Sequence, residues 1–110
     1  MNDSDLESLW KISERGQTMI NGNITEFLDK LYYGEELLFE YQGLTYFLQG
    51  WIQDGEATMV LDIQENAAFQ GYLWECVRKT MKECAEEFLA APLWNKKTFL
   101  EVEKEITWID

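Results

Sequence analysis

Residues 35–64 read EELLFEYQGLTYFLQGWIQDGEATMVLDIQ: three runs rich in aromatic and branched side chains, divided by Gln42-Gly43 and Asp54-Gly55. Asp-Gly is a strong signal for a two-residue hairpin turn and Gln-Gly a weaker one, because the favoured turns need positive φ at their central positions. Two-residue turns fix the register. In the first hairpin Tyr41 faces Leu44, Phe39 faces Tyr46 and Leu37 faces Leu48. In the second, Ile52 faces Ala57, Gly50 faces Met59, Leu48 faces Leu61 and Tyr46 faces Ile63. Side chains alternate across the pleat, so all of these lie on one side of the sheet, and that side is almost wholly apolar. The two hairpins are registered independently and agree about the apolar side; a slip of one residue in either would break the agreement. The opposite side carries Glu36, Leu38 and Glu40, then Thr45, Phe47, Gln49 and Trp51, then Thr58, Val60, Asp62 and Gln64. It mixes apolar area with three carboxylates and holds no cation.

The flanks of this meander read as helices. Thr25 to Tyr32 puts Phe27, Leu28 and Leu31 on one face, with Asn23 or Thr25 as its cap and Gly34 as its stop. Thr80 to Ala91 carries Met81, Cys84, Ala85, Phe88 and Leu89 at the spacing of a helix packed on one side. Thr80 and Glu83 have capping-box spacing, and Pro92 terminates the helix. Thr98 to Glu105 sets Phe99, Val102 and Ile106 on one face, and the end of the chain continues as a tail or an edge strand. At the other end, Ser4-Asp5-Leu6-Glu7 is a capping box ahead of a short stripe of Leu6, Leu9 and Trp10. A fourth strand over Gln70 to Val77 is expected from Tyr72, Leu73 and Trp74, with its facing left open because both alternations are partly apolar. The expected class is α+β: an antiparallel meander of three to four strands with helices packed on one face and a short N-terminal helical segment. At 110 residues, 46% of them apolar, the chain is expected to form one domain, 1–110.

Charge and absences narrow the function. There are 21 acidic residues against nine basic ones, a net charge of −12. That disfavours nucleic acid, whose phosphates demand a positive surface, and anionic membrane. No basic residue lies between Lys30 and Arg78, and that block holds ten of the 16 aromatics. With no His, Ser-His-Asp and Cys-His catalysis and His-metal sites are excluded. Cys76 and Cys84 are too few for an all-thiolate zinc site and are expected as buried, reduced thiols. No Asp-x-Asp-x-Asp-Gly loop, phosphate-binding glycine loop or nucleophile elbow is present. Glu36 and Glu40, four apart on one strand, have Cα atoms ~13 Å apart, long for a glycosidase pair. Glu101, Glu103 and Glu105 point in different helical directions and read as a solvated face. We therefore expect no catalytic residue, no cofactor and no metal. The opening from Met1 to Arg15 is acidic and mixed rather than signal-like, which sets a cytoplasmic expectation. The Asn23-Ile24-Thr25 sequon then carries no glycan.

The side of the sheet opposite the apolar one is the candidate site. Its partner-binding set is Glu36, Glu40, Phe47, Trp51 and Asp62, with Asp54 and Glu56 at the second hairpin turn. Aromatics anchor an interface and carboxylates steer a cationic protein towards it. Two other uses of that face stay open: cover by the N-terminal helix through Leu6, Leu9 and Trp10, and burial against a second copy in a homodimer.

In size, acidity, displayed aromatics and missing catalytic chemistry, the whole chain resembles the small acidic bacterial immunity proteins of toxin–immunity systems, the contact-dependent and polymorphic toxins among them. That resemblance is one of overall character and carries no residue roles with it. It implies a compact cytoplasmic α+β domain that neutralises a basic, nuclease-like toxin by occluding its active or substrate-binding surface. Other expectations stand beside it. One is a DNA-mimicking inhibitor from a phage or mobile element, of the anti-restriction or anti-CRISPR kind; another is a homodimeric structural or adaptor domain. Trp51→Ala separates the first two, since a toxin-type hot spot needs the aromatic anchor and a phosphate mimic does not.

Overall fold

The computed structural model describes residues 19–65, 68 and 70–110. The helix expected near Ser4 to Arg15 lies outside them. Chain order is α1 (Ile24–Tyr32), β1 (Leu37–Tyr41), β2 (Leu44–Gln53), β3 (Glu56–Ile63), β4 (Trp74–Arg78), α2 (Met81–Ala90), α3 (Phe99–Val102), a 3₁₀ turn (Glu103–Glu105) and β5 (Thr107–Trp108). The five strands form one antiparallel sheet ordered β4-β3-β2-β1-β5, an α+β architecture.

Both hairpins take the register expected from their turns. Leu37 pairs Leu48, Phe39 pairs Tyr46 and Tyr41 pairs Leu44; Tyr46 pairs Ile63, Leu48 pairs Leu61, Gly50 pairs Met59 and Ile52 pairs Ala57. Positive φ at Gln42 and Gly43, and at Asp54 and Gly55, is what a two-residue turn matched to strand twist requires. The tips overhang the core: Leu44 and Ile52 lie on the apolar side yet are exposed.

The helices cover that side. Asn23 Oδ1 accepts from the Thr25 and Glu26 amides and so caps α1, which buries Ile24, Phe27, Leu28 and Leu31. Thr80 and Glu83 complete a capping box at α2, which buries Cys84, Ala85, Phe88 and Leu89. A ring cluster fills the space between layers. Phe27 stacks on Phe99 at 5.0 Å, Phe39 meets Phe99 edge-on at 5.6 Å, and Phe88 meets Trp94 edge-on at 5.7 Å. Such pairs add about 0.5–1.5 kcal/mol each beyond burial of their area. Trp94 is held by a tight turn in which its amide and carbonyl both bond to Lys97.

Three expectations change in detail. The fourth strand starts at Trp74 rather than Gln70: Gly71 sits at φ +110 ahead of it, and the Leu73 amide already donates to the Leu61 carbonyl of β3 at 2.8 Å. The last helix is α-helical only over Phe99–Val102 and then tightens into the 3₁₀ turn, a common way for a helix to end. The chain end takes the edge-strand option of the two expected, so the sheet has five strands among the described residues rather than three or four: Thr107 pairs Glu40 and Trp108 pairs Phe39. Two paired residues are too few to leave an alternation in the sequence. Asn21 secures this strand: its Nδ2 donates to the Trp108 carbonyl at 2.7 Å and its Oδ1 accepts from the Trp108 amide at 2.7 Å.

Candidate functional site

The sheet's other side is built in rows, each set by strand pairing. Leu38, Phe47 and Asp62 stand side by side on β1, β2 and β3. Glu40 and Thr45 form the next row, which Thr107 extends on β5 and which a hydrogen bond from the Gln64 amide to the Thr45 carbonyl extends past the end of β3. On the other flank Gln49, Val60 and Glu75 are aligned, followed by Trp51, Thr58 and Val77. Opposed side chains in such pairs have Cβ atoms roughly 4.5–5.5 Å apart. Phe47 is therefore in side-chain contact range of both Leu38 and Asp62, and Glu40 lies one diagonal step away.

The structure thus gathers Glu40, Phe47 and Asp62 into one neighbourhood. Glu36 lies just ahead of β1 on the same face. Trp51 sits further along β2, where its indole N–H donates to Gln53 Oε1 at 3.3 Å. Asp54 and Glu56 are exposed at the β2–β3 tip, Asp54 inside the turn and Glu56 opposite Gln53. The set accordingly divides into a central cluster and an acidic rim at one end.

Sequence reading missed Glu75 and Val77. Pairing of Glu75 with Val60 and of Thr58 with Val77 turns both onto this face, while Trp74 and Cys76 turn inward. The signal was there in Glu75 itself, a carboxylate between Trp74 and Cys76 that a packed core would exclude. With it, the described residues place Glu36, just ahead of β1, and Glu40, Glu56, Asp62 and Glu75 of the strands on this side, and among the described strand residues no Lys or Arg joins them. Arg78 belongs to the helix side, where it pairs with Glu87.

The apolar part is less open than the sequence suggests. Phe47 and Trp51 are half-buried, Thr58 is 8% exposed and Val60 1%. The accessible surface is an aromatic seam flanked by carboxylates rather than a broad greasy patch. Asp62 Oδ1 accepts from the Ile63 amide at 2.8 Å, which restrains its side chain.

Burial and the neighbouring Cys84 push the Cys76 thiol up to about 12, and burial raises Cys84 as well, so neither is a thiolate nucleophile at neutral pH. Burial and the Glu86 carboxylate raise the Tyr32 phenol to about 12. Among the described residues no three or more carboxylates and thiols are grouped to hold a metal ion. Among them also, no helix is long and apolar enough to cross a membrane.

Comparison with known protein families, curated proteins and solved structures returns no match, so the functional reading rests on the residues themselves.

Proposed function

We propose that this chain is a non-catalytic immunity protein that binds a basic, nuclease-like toxin in the cytoplasm and occludes its active or substrate-binding surface. The observation that supports it is the composition of one sheet face. Leu38, Phe47 and Trp51 lie on the same side as Glu36, Glu40, Glu56, Asp62 and Glu75, and no basic side chain of the strands lies among them. A net charge of −12 adds a long-range field of the same sign. In this reading the carboxylates draw in a cationic surface and take the place of nucleic-acid phosphates. The half-buried rings then supply the desolvated anchor that holds the complex.

The two roles separate kinetically. Charge reversal at Glu40 and Asp62 is expected to slow association at low salt by an order of magnitude or more, with little change in dissociation. Trp51→Ala is expected to act on dissociation instead, at about 2 kcal/mol or roughly 30-fold. Stopped-flow association against ionic strength reads both. An association rate unchanged by charge reversal at low salt removes the reading.

A further inference from the structure

Cys76 and Cys84 have no part in the proposed interface, yet the fold brings them together. Cys76 is the middle residue of β4 and points inward opposite Met59; Cys84 lies in the first turn and a half of α2. The Cys84 Sγ is 3.7 Å from the Cys76 carbonyl and 3.5 Å from the Ala57 carbonyl, which places it beside the backbone of its partner cysteine. The Cys76 Sγ also approaches Glu87 Oε2 at 3.5 Å. Both residues are almost fully buried, at 5% and 0% exposure. Strand and helix are joined only by Lys79 and Thr80, so the pairing is held locally as well as by the core.

We propose that Cys76 and Cys84 form a dithiol that closes into an intramolecular disulfide in an oxidising thiol–disulfide pool, tying edge strand β4 to helix α2. The oxidant is a small-molecule disulfide such as glutathione disulfide. One protein thiol loses its proton to solvent and attacks the oxidant, forming a mixed disulfide and releasing one reduced glutathione. The second thiol, also deprotonated by solvent, displaces the second glutathione and forms the Cys76–Cys84 bond. Two protein thiols are oxidised and one disulfide is reduced to two thiols.

The surroundings set the rate. Burial keeps both thiols protonated in the closed structure, so exchange waits for local opening. An edge strand, bonded to one neighbour only, is where such opening occurs at least cost. Once formed, the bond fixes the strand that carries Glu75 and Val77 on the opposite side, and so stiffens one border of the candidate interface.

The test uses the full chain at neutral pH in a glutathione disulfide/glutathione buffer. The expected product is a monomer that has lost two hydrogens by intact mass, yields a Cys76–Cys84 linked peptide and reverts with dithiothreitol. Hydrogen exchange across β4 should slow in the oxidised form, and Cys84→Ala should yield at most a single glutathione adduct. A low urea concentration that speeds opening without unfolding should raise the rate and leave the product unchanged. Bis-glutathione adducts, disulfide-linked dimers, or thiols that stay reduced in that urea condition would each overturn the proposal.

Discussion

Gly50 lies mid-strand in β2, where a residue without a side chain needs a reason. The reason is Met81, the first residue of α2. A Cβ built on Gly50 would stand 2.8 Å from Met81 Sδ, 2.9 Å from Met81 Cε and 3.2 Å from the Gly34 Cα. The Gly50 amide also donates to the Gly34 carbonyl at 3.1 Å, which holds the β1 lead-in against β2. Met81 can swing aside, because its last atoms end a flexible chain; the Gly34 backbone cannot. Overpacking of this kind costs about 1–3 kcal/mol. Replacing Gly by Ala in a strand recovers roughly 0.5–1 kcal/mol of backbone entropy. Gly50→Ala should therefore destabilise the fold by about 0–2.5 kcal/mol, centred near 1 kcal/mol, which lowers the melting temperature by roughly 4–8 °C at the centre of that range for a domain near this size. Met81→Ala should remove the larger part of the clash. Chemical denaturation of wild type, both single variants and the double variant gives the coupling, which should be favourable by about 1 kcal/mol. A stabilising Gly50→Ala, or energies that simply add, would show that α2 does not press on β2 at this point.

Further outcomes follow from other contacts. Asn21→Ala removes both bonds to the Trp108 backbone and should cost about 1–3 kcal/mol, with faster amide exchange confined to residues 107–110 and their β1 partners. Thr80→Ala breaks the capping box of α2 and should cost about 1 kcal/mol by urea denaturation. The Thr98 amide and hydroxyl hold the Glu101 carboxyl below its ordinary 4.5, so the folded chain binds this proton less readily than the unfolded one. Its contribution is present above pH 4.5 and is lost as pH falls through the depressed folded value. Glu101→Gln should flatten that acid limb of the stability curve. Phe99→Ala, which takes away a ring touching Phe27, Phe39, Phe88 and Trp94, should cost about 3–5 kcal/mol and be the harshest single change in the core.

How much could be read in advance depended on how local the determining physics is. The meander was readable because each turn sets a register and the apolar pattern checks it independently; Gln42-Gly43 and Asp54-Gly55 supplied both. Caps were readable for the same reason, since Asn23 and Thr80 act within three residues of themselves. The facing of β4 was marked only by Glu75, because Trp74, Cys76 and Val77 are all apolar and argue both ways; pairing with β3 turns Glu75 and Val77 away from the core. Strand β5 was readable only as one of two options, a tail or an edge strand, because its stability comes from Phe39, Glu40 and Asn21, residues far off in sequence. The candidate face was readable as a list of residues. Its half-burial was not, since a pleat tells which way Phe47 and Trp51 point and nothing of how much of each ring its neighbours cover.

The proposed function puts the binding of a basic toxin on the sheet face carrying Glu40, Phe47, Trp51 and Asp62. The most direct test is parallel affinity purification from the native host at low salt of the wild-type chain and of a Glu40→Lys/Trp51→Ala/Asp62→Lys variant shown to be folded, with mass spectrometry of what remains bound. One basic partner, toxic when expressed alone, should be retained by the wild type and lost from the variant. Recovery of the wild type alone as a compact dimer, or of the same partner on both proteins, would contradict it.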